Sequence, residues 1–97
     1  MGAYASEKIL IEDFPVVFTP ALLAHKNNLP AKAVFVVEFG PIRVTLDGTD
    51  PTSTTGIPID IGAVVTITKE SDIQNFKAIR STNVSSVINP EYFNNFN

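Results

Sequence analysis

The segment 41–52 places the strongest constraint on the fold of this chain. Apolar and polar residues alternate from Ile42 to Asp47, which is the period of a β-strand with one face turned toward a core. The dipeptides Asp-Gly at 47–48 and Asp-Pro at 50–51 then end the alternation, since Gly adopts positive φ easily and Pro cannot donate to a ladder. The segment therefore predicts a strand that runs into a turn, and it supplies no catalytic group of its own.

Other segments of the chain share the character of strands and predict an all-β protein. Lys32–Phe39 is apolar at nearly every position, as in a strand that is covered on both faces. Ile57–Ile61 alternates, but Pro58 restricts it to the edge of a sheet. The remaining predicted strands are Lys8–Ile11, Val16–Phe18, Val64–Thr68, Ile73–Ser81 and Val84–Ile88. Short strands separated by turns predict a single antiparallel β-sandwich, either immunoglobulin-like or a jelly roll.

Two segments between these strands carry no strand period. Residues 21–25 fit either a single helical turn or a loop, and residues 69–72 are polar and predict a turn. No apolar stripe is long enough to predict a regular helix. We therefore expect the strands and their connections to make up the whole fold.

The length of the chain predicts one domain. Ninety-seven residues suffice for one modest core, which we expect within residues 31–88, with a candidate N-terminal arm at 1–14 and a C-terminal tail at 89–97. Charged residues make up 18% of the chain, fewer than the roughly 25% usual in soluble domains. A small domain exposes much of its surface, so this composition predicts that a homo-oligomer or a larger particle covers part of it.

The two terminal segments are candidates for such contacts. Tyr92, Phe93 and Phe96 lie in an asparagine-rich tail, which either folds back on the core or inserts into a neighbouring subunit. Ile9 and Ile11 raise the same question, because an exposed apolar strand readily pairs with the sheet edge of another chain. These five residues are the predicted interface.

Composition argues against several classes of function. The chain has no cysteine, so it has neither disulfides nor thiolate metal sites, and its one histidine, His25, lies in a polar loop without a Gly-x-Ser-x-Gly elbow. The net charge of −3, with scattered Lys and Arg, predicts no nucleic-acid partner, and no segment has the roughly 18 consecutive apolar residues of a membrane span. We expect a protein that is not an enzyme and has no cofactor.

Three carboxylates have more than one interpretation. Asp47 and Asp50 could begin a Ca²⁺ site, but calcium needs about six to eight oxygen ligands, and the spacing is not that of an EF-hand. The pattern favours a turn in which Asp47 binds its own backbone. Glu38, inside the most apolar strand, is predicted to pair with Arg43 or Arg80 rather than to act as a catalytic acid.

The motif from Arg43 to Thr52, followed by Gly56 and by Phe76-Lys-Ala-Ile-Arg80, resembles small β-sandwich structural proteins of tailed bacteriophages. The likeness covers roughly residues 31–93. It implies a non-enzymatic virion component, such as a capsid decoration, head-fibre base, neck or tail-associated protein, in contact with other virion proteins and made in the host cytoplasm. The residues that the resemblance assigns to the turn and the scaffold are Arg43, Thr45, Asp47, Gly48, Thr49, Pro51 and Gly56.

The run from Thr45 to Thr52 also looks like the immunoglobulin-like domain at the C-terminus of chitobiase-type hexosaminidases. That family usually has an aromatic residue at the position of Val44 and a serine at the position of Thr49. This second resemblance implies the alternative function, a carbohydrate-associated binding module, with Tyr4 and Tyr92 among its candidate sugar platforms.

Overall fold

The computed structural model describes residues 3–23 and 30–94, which form two antiparallel sheets. The elements in chain order are β1 (Ala5–Ser6), β2 (Ile9–Ile11), α1 (Pro20–Leu23), β3 (Lys32–Glu38), β4 (Ile42–Thr45), β5 (Ile57–Ile59), β6 (Val64–Ile67), α2 (Glu70–Gln74), β7 (Lys77–Arg80), β8 (Ser86–Ile88) and β9 (Glu91–Phe93). Sheet I has six strands in the order β1-β9-β3-β8-β2, with β6 also paired to β3, and sheet II has the order β5-β4-β7. The predicted all-β sandwich is confirmed.

The hairpin strands of sheet II follow the sequence pattern closely. In β4, Ile42 and Val44 are buried while Arg43 and Thr45 face outward. The strand β5 pairs with β4 on one side only and ends the sheet, so the prediction of an edge strand around Pro58 is confirmed. The side chain of every second residue thus reaches the space between the sheets.

Aromatic rings fill much of that space. The rings of Phe18 and Phe76 stack with their centroids 4.0 Å apart, and Phe35 and Tyr92 meet Phe18 edge-on at 6.2 and 5.3 Å. All four side chains are almost completely buried. Offset and edge-to-face contacts of this kind add to the free energy of burial. The core is therefore centred on residues from four separate parts of the chain.

The prediction that β3 is covered on both faces is wrong. Ala33, Phe35 and Val37 are buried, whereas Val36 on the opposite face exposes 41% of its surface. Sheet II covers only one face of sheet I, so the alternate residues of β3 point outward. Two of them, Val34 and Val36, have β-branched side chains that favour the strand, but nothing else in the described chain buries them fully.

The segment 69–81 departs from the predicted turn and strand. Residues 70–74 form the short helix α2, and β7 begins only at Lys77. This helical turn brings Ile73 and Phe76 to the core, where each exposes 1% of its surface. Ile73 lies in α2, and Phe76 lies just beyond it, where its N–H donates to the carbonyl oxygen of Ile73 at 3.4 Å. Both side chains are thus buried without belonging to a strand. The helix α1 matches one of the two alternatives for residues 21–25, and the predicted strand 16–18 is reduced to a single bridge between Val16 and Ala78.

The described parts of both terminal segments are strands of sheet I. Tyr92 lies opposite both Ala5 and Ala33, and Ile11 pairs with Ser86. Residues 89–94 of the predicted C-terminal tail therefore fold back on the core of their own chain, which was one of the two alternatives.

The predicted interface role of Tyr92 and Ile11 is wrong, because both side chains are completely buried in the core of this chain. Ile9 is half-buried against the core, and Phe93 is half-buried with the Lys32 ammonium 4.5 Å above its ring. An interface role for these two stays a prediction. Phe96 and His25 lie outside the described residues.

Candidate functional site

The predicted turn after β4 is confirmed in its hydrogen bonds. The backbone N–H of Thr49 donates to Asp47 Oδ1 at 3.1 Å, and the Thr49 hydroxyl donates to the same oxygen at 2.6 Å. Gly48 between them has φ of 87°, a conformation that glycine adopts without steric cost. The hydrogen bonds from Thr49 lower the pKa of Asp47. The carboxylate is thereby used to shape its own turn.

The two candidate calcium ligands have different partners. Asp50 Oδ1 accepts a hydrogen bond from Lys77 Nζ at 2.8 Å, which joins the loop to β7, while Asp47 binds Thr49. Residues 3–23 and 30–94 contain no group of three or more His, Cys, Asp or Glu side chains that could hold a metal ion. The hydrogen bonds of these two aspartates agree with the interpretation that they shape the turn and the loop.

The loop that follows the turn folds back over sheet II. Arg43 Nη1 donates to the carbonyl oxygen of Gly56 at 2.9 Å, and the Thr45 hydroxyl donates to the carbonyl oxygen of Thr49 at 2.5 Å. Pro51 in the middle of the loop is fully buried. The predicted scaffold role of these residues corresponds to this packing, in which Arg43 binds a backbone carbonyl across the sheet.

The predicted ion pair of Glu38 is wrong. Glu38 Oε1 accepts a hydrogen bond from Asn89 Nδ2 at 2.9 Å. Glu38 belongs to sheet I, whereas Arg43 and Arg80 belong to sheet II. Strand pairing therefore separates the two arginines from this carboxylate.

A hydrogen-bonded cluster around Glu7 joins three distant segments. Glu7 accepts hydrogen bonds from the Tyr92 hydroxyl at 2.5 Å, from the Thr19 hydroxyl at 2.5 Å and from the Thr19 N–H at 3.0 Å. Burial, and then the bond to the Glu7 carboxylate, raise the pKa of Tyr92 well above its usual range. Every partner in this cluster donates a hydrogen bond to Glu7. The cluster therefore fixes the N-terminal segment to Thr19 and Tyr92, which is a structural role.

The outer face of sheet I carries an apolar surface that we call the β3 surface. It consists of Leu10, Val36, Phe39, Val64 and Val84, each exposing at least 41% of its area. In the register of β3 and β6, Val36 lies opposite Val64. Leu10 of β2 and Glu38 of β3 both pair with Val87, and the backbone of Gly40, next to Phe39, packs closely on Val84. A group of exposed apolar side chains around one strand of a small domain is the kind of surface at which contacts form.

Phe39 is the most exposed residue of this surface and has an unusual backbone. It exposes 69% of its area, and its φ is 75°, in the left-handed region that bulky residues rarely occupy. The N–H of Gly40 donates to the carbonyl oxygen of Glu38 at 3.0 Å across it, forming a γ-turn. Strain of this kind is found at functional sites, and here it presents an aromatic ring to solvent.

Sequence reasoning missed both the β3 surface and the Glu7 cluster. The segment Lys32–Phe39 indicated burial on both faces, so Val36 and Phe39 were not expected to face solvent. The Glu7 cluster joins residues that are up to 85 positions apart, and no pattern among neighbouring residues of the sequence predicts it. The only signal of the β3 surface in the sequence was an aromatic residue, Phe39, directly before Gly40.

Comparison of the chain with protein-family models, with curated protein sequences and with solved structures found no match. No helix in the described ranges, 3–23 and 30–94, reaches the length and apolarity that crossing a bilayer requires.

Proposed function

We propose that this chain is a non-enzymatic structural subunit of a tailed-phage virion that binds neighbouring subunits through its β3 surface. Its place would be the virion, after synthesis in the host cytoplasm, and its partners would be copies of itself and other capsid, neck or tail proteins. The resemblance of segment 43–80 to phage sandwich proteins supports a location in the virion. The exposed apolar ring of Phe39, held on a strained turn, supports the mode of contact and is the observation that carries the proposal.

The physical case begins with the composition of the surface. Phe39 and Val64 each leave more than two thirds of their area in water, at 69% and 68%, in a chain with only 18% charged residues. A buried aromatic anchor contributes on the order of 2 kcal/mol or more to an interface. Repetition over many copies makes contacts of modest strength collectively strong.

In this proposal the β3 surface, and not the terminal arms, makes the contacts with neighbouring subunits. The described N-terminal strands and β9 are paired within sheet I, and Tyr92 and Ile11 are buried there. Releasing them for a partner would expose core residues and break the bonds of Glu7. The outer face of sheet I needs no rearrangement, so subunits can dock on it without unfolding any strand.

The alternative function, a carbohydrate-binding module, relies on Tyr92 as a residue on which a sugar ring would stack, and the structure does not leave this residue accessible. Tyr92 is completely buried, and its hydroxyl donates to Glu7. A sugar ring therefore has no access to its face. The structural-subunit proposal includes no reaction, cofactor or nucleic-acid partner.

The test measures association with and without the Phe39 ring. Light scattering of the purified chain over a range of concentrations reports self-association, and co-sedimentation with capsid shells that lack this subunit reports binding to other virion proteins. We expect Phe39→Ser to abolish both. The matched control is Phe14→Ser, which removes another exposed phenylalanine, at 58% against 69% for Phe39, from the segment beside sheet II. A wild-type chain that stays monomeric and binds no shell would contradict the proposal.

A further inference from the structure

A polar cleft of about 340 Å³ lies beside sheet II, between the loop 47–56 and the loop that follows β7. Its rim is formed by short polar side chains: Asp13, Thr52, Ser53, Ser81, Thr82 and Asn83. Arg80 and two almost fully buried apolar residues, Pro51 and Ile79, also line the cleft. The volume is at the lower end of the range of small-molecule sites, about 300–1,000 Å³.

Arg80 has a half-buried side chain whose guanidinium has no partner among the described residues. Two acidic residues lie in the neighbouring segment: Glu12, whose carbonyl oxygen accepts the backbone N–H of Arg80 at 2.9 Å, and Asp13, which lines the same cleft. The carboxylate of Glu12 accepts the Ser85 hydroxyl at 2.7 Å, and neither carboxylate forms an ion pair with Arg80. The planar donor group of Arg80 is therefore left for an acceptor that enters the cleft, and its geometry matches a carboxylate.

The rim offers a different chemistry from that of the guanidinium. The hydroxyls of Ser53 and Ser81 and the amide of Asn83 can each donate and accept hydrogen bonds, and the Asp13 carboxylate accepts only. Such a mixture suits the hydroxyl groups of a sugar.

From this combination we propose that the cleft binds a carboxylate-bearing saccharide, of the uronic-acid or sialic-acid class. The carboxylate binds Arg80, and the ring hydroxyls bind the rim. A neutral sugar would leave Arg80 unpaired, and a simple carboxylate would leave the rim unused. The site is independent of the β3 surface, which lies on the other sheet.

The test is a titration of the full chain followed by amide chemical shifts in ¹H–¹⁵N NMR spectra. The probes are sodium glucuronate, N-acetylneuraminate, glucose and sodium acetate. We expect saturable shifts at residues 51–53 and 79–83 with at least one of the two acidic sugars, and binding about tenfold weaker for glucose, which lacks the charge-assisted bond. If acetate binds as tightly as the acidic sugars, or if no probe gives saturable shifts, the proposal is overturned.

Two variants distinguish a specific role of the Arg80 guanidinium from a general effect of positive charge on binding. Arg80→Gln should weaken the binding of the acidic sugar by about tenfold or more. Lys69→Gln, which removes the same charge from an exposed position outside the cleft, should change it by less than about twofold. Ser53→Ala, at an exposed position, tests the rim without a risk to folding and should weaken the acidic sugar but not acetate. Equal binding by Arg80→Gln and the wild type, with preserved spectral dispersion, would refute the assignment.

Discussion

Tyr92 donates its hydroxyl hydrogen to Glu7 Oε2 at 2.5 Å, across 85 positions of the chain. The bond joins β9, which lies between β1 and β3 in sheet I, to the segment between β1 and β2. Since Glu7 also binds Thr19, which precedes α1, a single carboxylate fixes three segments that share no local sequence relationship. The described N-terminal strands are thereby tied to the aromatic core.

We expect Glu7→Gln to lower the free energy of unfolding by about 1–2 kcal/mol, because the amide turns one of its two acceptors into a donor that faces other donors. Urea denaturation measures the change. The matched control is Glu91→Gln, an exposed glutamate beside Tyr92 in β9, for which we expect a change within about 0.5 kcal/mol. Equal effects of the two substitutions would show that the Glu7 cluster contributes nothing to stability.

The raised pKa of Tyr92 predicts a loss of stability in alkali. A group whose pKa is higher in the folded state stabilises the fold fully below its unfolded pKa, about 10 for tyrosine, and loses this contribution as the pH rises further. The unfolded chain releases the phenolic proton while the folded chain, with Tyr92 buried beside the Glu7 carboxylate, retains it. Above about pH 10 the free energy of unfolding should therefore fall by about 1.4 kcal/mol per pH unit from this group.

Tyr92→Phe separates this contribution from other alkaline effects, including that of Tyr4, whose pKa is also raised by burial. Unfolding of the wild type and of Tyr92→Phe is measured at intervals from about pH 8 to about pH 11. We expect the variant to be the less stable protein at the lower end and the difference to shrink as the pH rises. Parallel pH profiles would contradict the buried, protonated state of Tyr92.

The γ-turn at Phe39 predicts opposite effects of two small substitutions. Phe39→Gly removes the steric cost of positive φ, so we expect it to raise the free energy of unfolding by about 1 kcal/mol. Phe39→Ala keeps the Cβ atom and hence the strain, so it should leave stability nearly unchanged. The lost ring is mostly exposed and takes little burial with it.

Both variants should lose association, since both remove the aromatic ring from the β3 surface. Thermal unfolding and light scattering on the same samples therefore separate backbone strain from contact. If Phe39→Gly is destabilised, the backbone strain that we assign to this residue does not exist.

The sequence predicted those parts of the fold that depend on neighbouring residues. The turn at Asp47 and Gly48 and the edge strand around Pro58 follow from hydrogen bonding and backbone sterics within a few residues. The helix α2 was missed because one helical turn carries too few residues to distinguish its period from that of a strand. Val36 was misjudged because a β-branched residue favours a strand whether or not its face is covered.

The candidate sites were harder to predict, because each is built from residues that only the fold brings together. The cleft at Arg80 needs the loop 47–56, the segment at Asp13 and the loop after β7. The Glu12 carboxylate, whose backbone pairs with that of Arg80, binds the Ser85 hydroxyl and not the guanidinium. Relationships across this many segments are fixed by strand pairing, which the sequence pattern does not specify for separate strands.

Gly56 and Gly62 provide a test of how the loop 47–56 is held against sheet II. Both have positive φ, 114° and 84°. A Cβ atom at position 56 would lie 3.0 Å from the carbonyl oxygen of Val44 and 3.4 Å from Pro51 Cβ, whereas a Cβ atom at position 62 would meet nothing within 4 Å. Gly62→Ala therefore incurs backbone strain alone, which we expect to cost about 1 kcal/mol.

Gly56→Ala incurs the same kind of strain and in addition pushes the loop away from β4. We expect a total cost of about 2–3 kcal/mol, part of it from the bond between Arg43 and the Gly56 carbonyl oxygen. Chemical denaturation of the two variants gives the difference, and amide shifts at residues 51–53 report whether the loop has moved. Equal costs, with those shifts unchanged, would mean that the loop tolerates the extra atom and that close packing on Val44 does not position it.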